Sequence, residues 1–391
     1  MERYFNTEGR CKHKEHYMVN LDSRLSRIKK LFVDRGKYFA INRGRQYGKT
    51  TTLMVLAEYL QADYFVLAMD FQLIGTEEFA NTAVFVRAFV RLLKKAAHRW
   101  DLKKGGKLEA LLEEISDVSK NRTLGELFVL LSRICEHAPK PIVLMIDETD
   151  SASNNQVFID FLSQLRGYYL DRENSPIFHS AVLAGVYDIK NLKLKIRHDG
   201  EHQYNSPWNI AAEFDLDMSF SVTEITDLLN DYENDHHYGI DTRKAAAEIY
   251  AYTSGYPYLV SAICKYLDET LPCRKGFESM ERVWTKEGII QAVNSLLKKR
   301  ISLFDSMARQ LGLYPDLQNI LKQMIYEGKQ FPYSPAERAM NLGVMLCYLK
   351  EENGHIVMAN RIFEMYLLNL FITQESLKSR SFSCGDFFFC I

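Results

Sequence analysis

NRGRQYGKTTT, residues 42–52, contains Gly48-Lys49-Thr50, the second half of the phosphate-binding pattern G-x-x-x-x-G-K-[ST]. Position 43, where the first glycine of that pattern belongs, is Arg43, and a glycine follows one residue later as Gly44. A bare Gly-Lys-[Ser/Thr] arises by chance in roughly one chain in five of this length, so its surroundings decide. Upstream, KYFAI (37–41) is a short apolar run of strand character. Downstream, TTTLMVLAEYL (50–60) reads as a helix. A strand entering such a loop and a helix leaving it is the setting the pattern requires. Backbone N–H groups at the helix start then face phosphate. Gly48 lets the backbone approach closely, Lys49 neutralises the β- and γ-phosphates, and the Thr50 hydroxyl is a Mg²⁺ ligand. Arg45, Gln46, Tyr47 and Thr51 complete the set expected around the nucleotide.

The second decisive stretch is IVLMIDE, residues 142–148. An apolar strand ending on an acid supplies the carboxylate that holds Mg²⁺, here Asp147. Glu148 follows and can orient or deprotonate the attacking water. Lys49 and Glu148 are thus the expected catalytic residues, Thr50 and Asp147 the expected metal ligands, and ATP with Mg²⁺ the expected cofactors. Positive charge for the transition state could come from Arg45, Arg166 or Arg197. Asp70 and Asp188 end two further strands, YFVLAMD (64–70) and FHSAVLAGVYD (178–188), and read either as strand-end caps or as phosphate-facing acids.

Between the strands, helical patterns fall at about 22–35, 81–100, 107–117, 123–137 and 155–170. Strands alternating with helices imply a doubly wound parallel α/β sheet with its ligands at the C-terminal strand ends. The pattern changes near residue 215. FSVTEITDLLNDY (220–232) opens with a Ser221–Glu224 capping box, and helices continue to about 270, interrupted by TSGYPY (253–258). Further helices follow, and VMLCYLKEENGHIVMANRIF (344–363) reads as two apolar runs joined by a hairpin turn. The expected organisation is an α/β core over 1–215, a helical lid over 216–272 and a winged-helix-like domain over 273–375. An irregular tail over 376–391 completes it, the pattern expected of a truncated or frame-shifted form of a longer protein.

Composition narrows the classes. The 391 residues are 47% hydrophobic and 25% charged with a net charge of −1, ordinary for a globular protein and without bulk charge for a nucleic-acid or membrane partner. Seven scattered cysteines without C-x-x-C fit reduced thiols in a cytoplasmic protein. The N-terminal residues show no signal-peptide pattern and no run reaches membrane-spanning length. Cys11, His13 and His16 offer three soft ligands without a fourth. Asp235, His236 and His237 read as a solvated loop, and Glu327 with Lys329 and Asp316 as an ordinary helix end.

The loop NRGRQYGKTTTL, together with HYMV–NL (16–21), IDETDSAS, AVLAGVYDIKNL and SPWNIAAEF (206–214), resembles bacterial AAA-like ATPases with an Arg-Gln-x-Gly-Lys-Thr loop. These are similar to STAND and archaeal-type ATPases and are often joined to a C-terminal nuclease-like domain, whose motifs this sequence does not carry. The resemblance implies that Gly255 and Pro257 of SGYPYL contact the adenine side of ATP, and that Tyr17–Val19 pack on the base. Two function classes stay open. One is an ATP-hydrolysing conformational switch, in which oligomers can form. The other is a DNA-binding or protein-interaction module with a structural or slowly hydrolysed nucleotide.

Overall fold

The computed structural model describes residues 2–100, 106–117, 121–186 and 209–385, with side chains to residue 377. The chain forms two compact units. One comprises Leu21–Arg43 and Lys49–Asp217; the other comprises Met1–Asn20, Gly44–Gly48 and the chain from Met218 onward.

The first unit is the α/β core. Its strands are β1 (Tyr38–Asn42), β2 (Phe65–Asp70), β3 (Ile142–Asp147) and β4 (Ser180–Gly185). They form one parallel sheet in the order β1-β4-β3-β2, with Asp70 in register with Asp147 and Asn42 with Gly185. Strand ends carrying polar residues therefore lie along one edge of the sheet. Both faces are buried, which is why the strands read as continuous apolar runs rather than alternating ones. One face presents Tyr38, Leu67, Leu144 and Leu183 to α3 (Thr82–Ala97), α4 (Lys107–Ser116), α5 (Leu124–His137) and α6 (Gln156–Leu170). The other packs against α1 (Asp22–Ile28), the π-helical turn Lys29–Val33 that extends it, and α2 (Lys49–Leu60).

Aromatic rings fill the first face. Phe161 lies 5.1 Å from Phe89, 5.5 Å from Phe128 and 5.8 Å from Phe85 between ring centroids. Truncating such a ring to alanine costs about 3–5 kcal/mol, so this cluster fixes how the helices seat on the sheet.

The second unit begins with the N-terminal residues, whose Phe5 and Tyr17 are buried. Its helices are α7 (Val222–His236), α8 (Thr242–Thr253), α9 (Pro257–Glu269), the short α10 (Met280–Val283) and α11 (Lys286–Lys298), followed by α12 (Ser302–Leu313) and α13 (Pro315–Glu327). The capping box at Ser221 forms as the sequence requires: the Ser221 Oγ accepts from Glu224 N–H at 3.1 Å and the Glu224 carboxylate accepts from Ser221 N–H at 2.7 Å. Strand β5 (Phe331–Pro332), α14 (Arg338–Met345) and the hairpin β6 (Leu349–Glu352) and β7 (His355–Met358) follow. The three strands form an antiparallel sheet in the order β5-β7-β6. Asn353 (φ 52°) and Gly354 (φ 80°) make the hairpin turn left-handed at both central residues, as a two-residue hairpin demands.

Two expectations change here. The apolar run from Val344 begins as the last turn of α14 rather than as a strand, and Cys347, left-handed at φ 60°, turns the chain toward β6. The final helix α15 (Arg361–Gly385) continues through the first part of the segment expected to be an irregular tail.

Candidate active site

The α/β unit gathers the expected catalytic and metal-binding residues. Strand β3 carries Asp147 to the sheet edge, where it is 8% exposed. Helix α2 starts with Lys49 and Thr50. Glu148 N–H donates to Asp147 Oδ1 at 2.9 Å. Burial nonetheless raises the Asp147 pKa, with Thr50, the Glu148 amide and the Lys49 charge opposing the rise. The Glu148 pKa is also raised, first by burial and then by the neighbouring Asp147 charge. Lys49 is 7% exposed and its Nζ donates to the Arg43 carbonyl at 2.9 Å.

Glu148 has φ 53° and ψ 42°. A non-glycine residue in this left-handed well is uncommon and carries strain that the surroundings must support. Here Thr149 and Asp150 supply that support. Thr149 Oγ1 donates to the Ala184 carbonyl at 3.0 Å, and Asp150 Oδ2 accepts from Val186 N–H at 2.6 Å. Both bonds tie the turn after β3 to the end of β4. A Cβ on Gly185 would meet Thr149 Oγ1 at 2.7 Å, so this approach requires glycine. Asp150 and Gly185 stand inside the strand ends read from sequence, but their pairing joins residues 35 apart and left no local signal.

Asp70 acts as a cap: its side chain accepts from Gln72 N–H at 2.9 Å at the start of the turn Phe71–Leu73. Arg166 sits ten residues into α6, about 15 Å along the helix from its start. Asp188 and Arg197 lie outside the described residues. Arg43 does not face phosphate either. Its guanidinium donates to the carbonyls of Leu216 at 3.0 Å and Phe214 at 3.4 Å and lies over the Phe214 ring, so the missing glycine is replaced by a tie holding the segment after the fourth strand.

The loop residues Gly44–Gly48 group with the second unit. Gln46 (φ 56°) and Gly48 (φ 77°) are left-handed, the alternation that curls backbone N–H groups into an anion-binding nest. Gly48 is glycine for that conformation and not for space, since its nearest neighbours to an added Cβ are Pro257 carbons at 3.9 Å. Gly44 is not left-handed; a Cβ there would meet the Leu346 carbonyl at 2.6 Å, so it serves close packing and not the turn. Arg45 is exposed, and Gln46 and Tyr47 are half-buried. Thr51 is half-buried on α2.

Gly255 (φ 72°) sits against the backbone of Phe220, and Pro257 opens α9. Tyr17 is buried among Phe5 and Tyr232, with its hydroxyl donating to Asp235 at 2.8 Å. That ring is committed to the interior of the second unit, contrary to the expected packing on a base. Arg3 reaches the same acids, 2.5 Å from Asp231 and 2.7 Å from Asp235, so Asp235 and His236 form a docking point for the N-terminal segment and not a free loop. His16 is likewise structural, accepting from Lys12 N–H at 2.9 Å and bonded to the Tyr4 hydroxyl at 3.0 Å.

Within the α/β unit, the buried Lys49 at the start of α2 and the buried Asp147 at the sheet edge fit a Mg²⁺-phosphate group. The chain is 25% identical over 248 residues to an uncharacterised WD-repeat-containing protein of Synechocystis; the match spans 60% of this chain and about a fifth (19%) of that protein. A Walker-type ATPase of Pyrococcus abyssi superposes with a TM-score of 0.60 at 11% identity, over 93% of this chain and 99% of that one, which shows a shared fold. An Aeropyrum pernix ORC2 structure gives a TM-score of 0.45 at 11% identity, over 94% and 96% of the two chains. The model of the AAA-like domain matches residues 7–367, and the chain belongs to this AAA-like family of P-loop ATPases.

Proposed function

We propose that the chain binds MgATP, hydrolyses it, and uses the difference between its ATP and ADP states as a conformational switch. The observation that carries this reading is the pair of buried charges within the α/β unit, the Asp147 carboxylate at the tip of β3 and Lys49 at the start of α2. A strand-end carboxylate and a lysine opening the next helix are the groups on which a Mg²⁺-phosphate site is built. Bound MgATP supplies a γ-phosphoryl group open to in-line attack by water. Thr50 and Asp147 would hold the metal, and Lys49 would exchange its bond to the Arg43 carbonyl for the phosphate charge. Glu148, its proton affinity raised by burial, is the group that takes a proton from the attacking water. The GYP turn at 255–257 is read as part of the nucleotide environment through its contact with the loop.

The C-terminal helices and hairpin are read as a winged helix that reports the nucleotide state, because ATP and ADP must make different contacts for either to shift an equilibrium. Its hairpin carries Glu351 and Glu352 as exposed residues beside the turn. Acids there repel a phosphate backbone, which favours a protein partner over DNA. Nucleotide titration of wild type and Lys49→Ala tests the site. The variant is expected to bind MgATP at least a hundredfold more weakly, since a charge-assisted contact to phosphate is lost from a buried position. Equal affinity in the two proteins would remove the assignment.

A further inference from the structure

The phosphate loop is gripped at several points by residues far along the chain, all within the second unit. The buried Tyr256 hydroxyl donates to the Arg45 carbonyl, and its ring meets the Tyr47 ring edge-on with centroids 4.7 Å apart. Phe363 of α15 backs the same ring at 5.1 Å. Gly44 N–H donates to Cys347 Sγ at 3.3 Å, and the left-handed backbone of Cys347 brings that sulfur to the loop. Gln46 Nε2 donates to Ser302 Oγ at 3.2 Å.

Tyr256 itself is fixed from below. Gly255 lies so close to the Phe220 backbone that an added Cβ would be 1.9 Å from its carbonyl oxygen, and the Gly255 carbonyl accepts from Phe220 N–H at 2.8 Å. Pro257 then locks the first turn of α9. The Gly-Tyr-Pro turn thus aims one hydroxyl at a loop carbonyl.

We infer that Tyr256 is a positioning residue for the phosphate loop, holding Arg45 and Tyr47 so that the loop amides stay curled for phosphate. The inference rests on the reading of Gly44–Thr50 as the nucleotide loop. An anion nest works only while successive N–H groups converge, and a carbonyl anchored by a buried donor resists the peptide rotation that would disperse them. Burial holds the Tyr256 hydroxyl protonated far beyond neutral pH, so it remains a donor at every working pH.

The experiment compares MgATP and MgADP titrations of wild type, Tyr256→Phe and Tyr38→Phe. Tyr38 is the matched control: it too is buried and its hydroxyl donates to a backbone carbonyl, that of Phe178 at 2.9 Å. Tyr256→Phe is expected to weaken both nucleotides about tenfold, the loss of one orienting hydrogen bond. It is also expected to speed amide hydrogen exchange in a peptide covering 43–50 without nucleotide. Tyr38→Phe should change neither. If wild type binds but Tyr256→Phe binds within twofold of it, the positioning role is overturned while the nucleotide site stands. If wild type does not bind, both fall together.

Discussion

Asp147 and Glu148 are adjacent in sequence and both have raised proton affinities, yet Asp147 is buried, Glu148 is half-buried, and the proposed function gives them different work. Asp147 accepts from the Glu148 amide at the tip of β3. Glu148 has a left-handed backbone, and in the proposed reaction it is the group that meets water. The sequence shows the pair because an apolar strand ends on acids, but not the turn at Glu148, which depends on Thr149 and Asp150 reaching the end of β4. A raised carboxylate pKa in the folded state has a definite consequence for stability. The folded protein holds that proton more tightly than the unfolded chain, so stability falls as pH rises from the ordinary Asp value of 3.8 through the higher folded value, and the cost is complete at neutral pH. Asp147→Asn keeps an oxygen for the Glu148 N–H to meet and removes the buried charge. It should therefore raise the neutral-pH melting temperature of the nucleotide-free protein by about 2 °C, with the gain vanishing as pH drops below the carboxylate range. Thermal melts of the two proteins at neutral and acid pH check this; a variant melting lower at neutral pH would show that the charge is stabilising there.

At the scale of elements, the strands of the parallel sheet were legible to within two or three residues, because a sheet buried on both faces writes itself as unbroken apolar runs. The helices of the α/β unit and the capping box at Ser221 were legible for equally local reasons. What escaped is non-local. Strand β5 is two residues long and exists only through its pairing with Ile356 and His355. Val344–Leu346 looked like strand because apolar runs this short do not distinguish strand from helix end. Gly255 shows the same limit: Gly-Tyr-Pro reads as a turn between helices, and the cause of its glycine is the backbone of Phe220, distant in sequence. Gly255→Ala forces an L-residue to φ 72° and a Cβ into that backbone. We expect a loss of roughly 2 kcal/mol or more, read by denaturant unfolding as a lowered midpoint. An unchanged midpoint would mean that the α7–α9 junction tolerates displacement and that Tyr256 is held by something else.

For the whole molecule, the parallel sheet, the loop between strand and helix, and the acid pair at the end of β3 were all present in the order of residues. The membership of the loop was not. Arg43 and Lys49 belong to the α/β unit, while Gly44–Gly48 group with the C-terminal one through bonds spanning 211 residues to Tyr256 and 303 to Cys347. Periodicity and spacing carry no trace of contacts at such separations. Among the described residues no helix is long and apolar enough to cross a membrane. The proposed switch depends on water being activated at Glu148 by a protein that holds MgATP through Lys49, Thr50 and Asp147. Phosphate release and MgATP affinity measured side by side for wild type and Glu148→Gln test it most directly. Affinity within threefold of wild type with a hydrolysis rate lowered at least a hundredfold, the upper part of the range for a positioned acid–base group, is the predicted result. Hydrolysis by Glu148→Gln at the wild-type rate would contradict it.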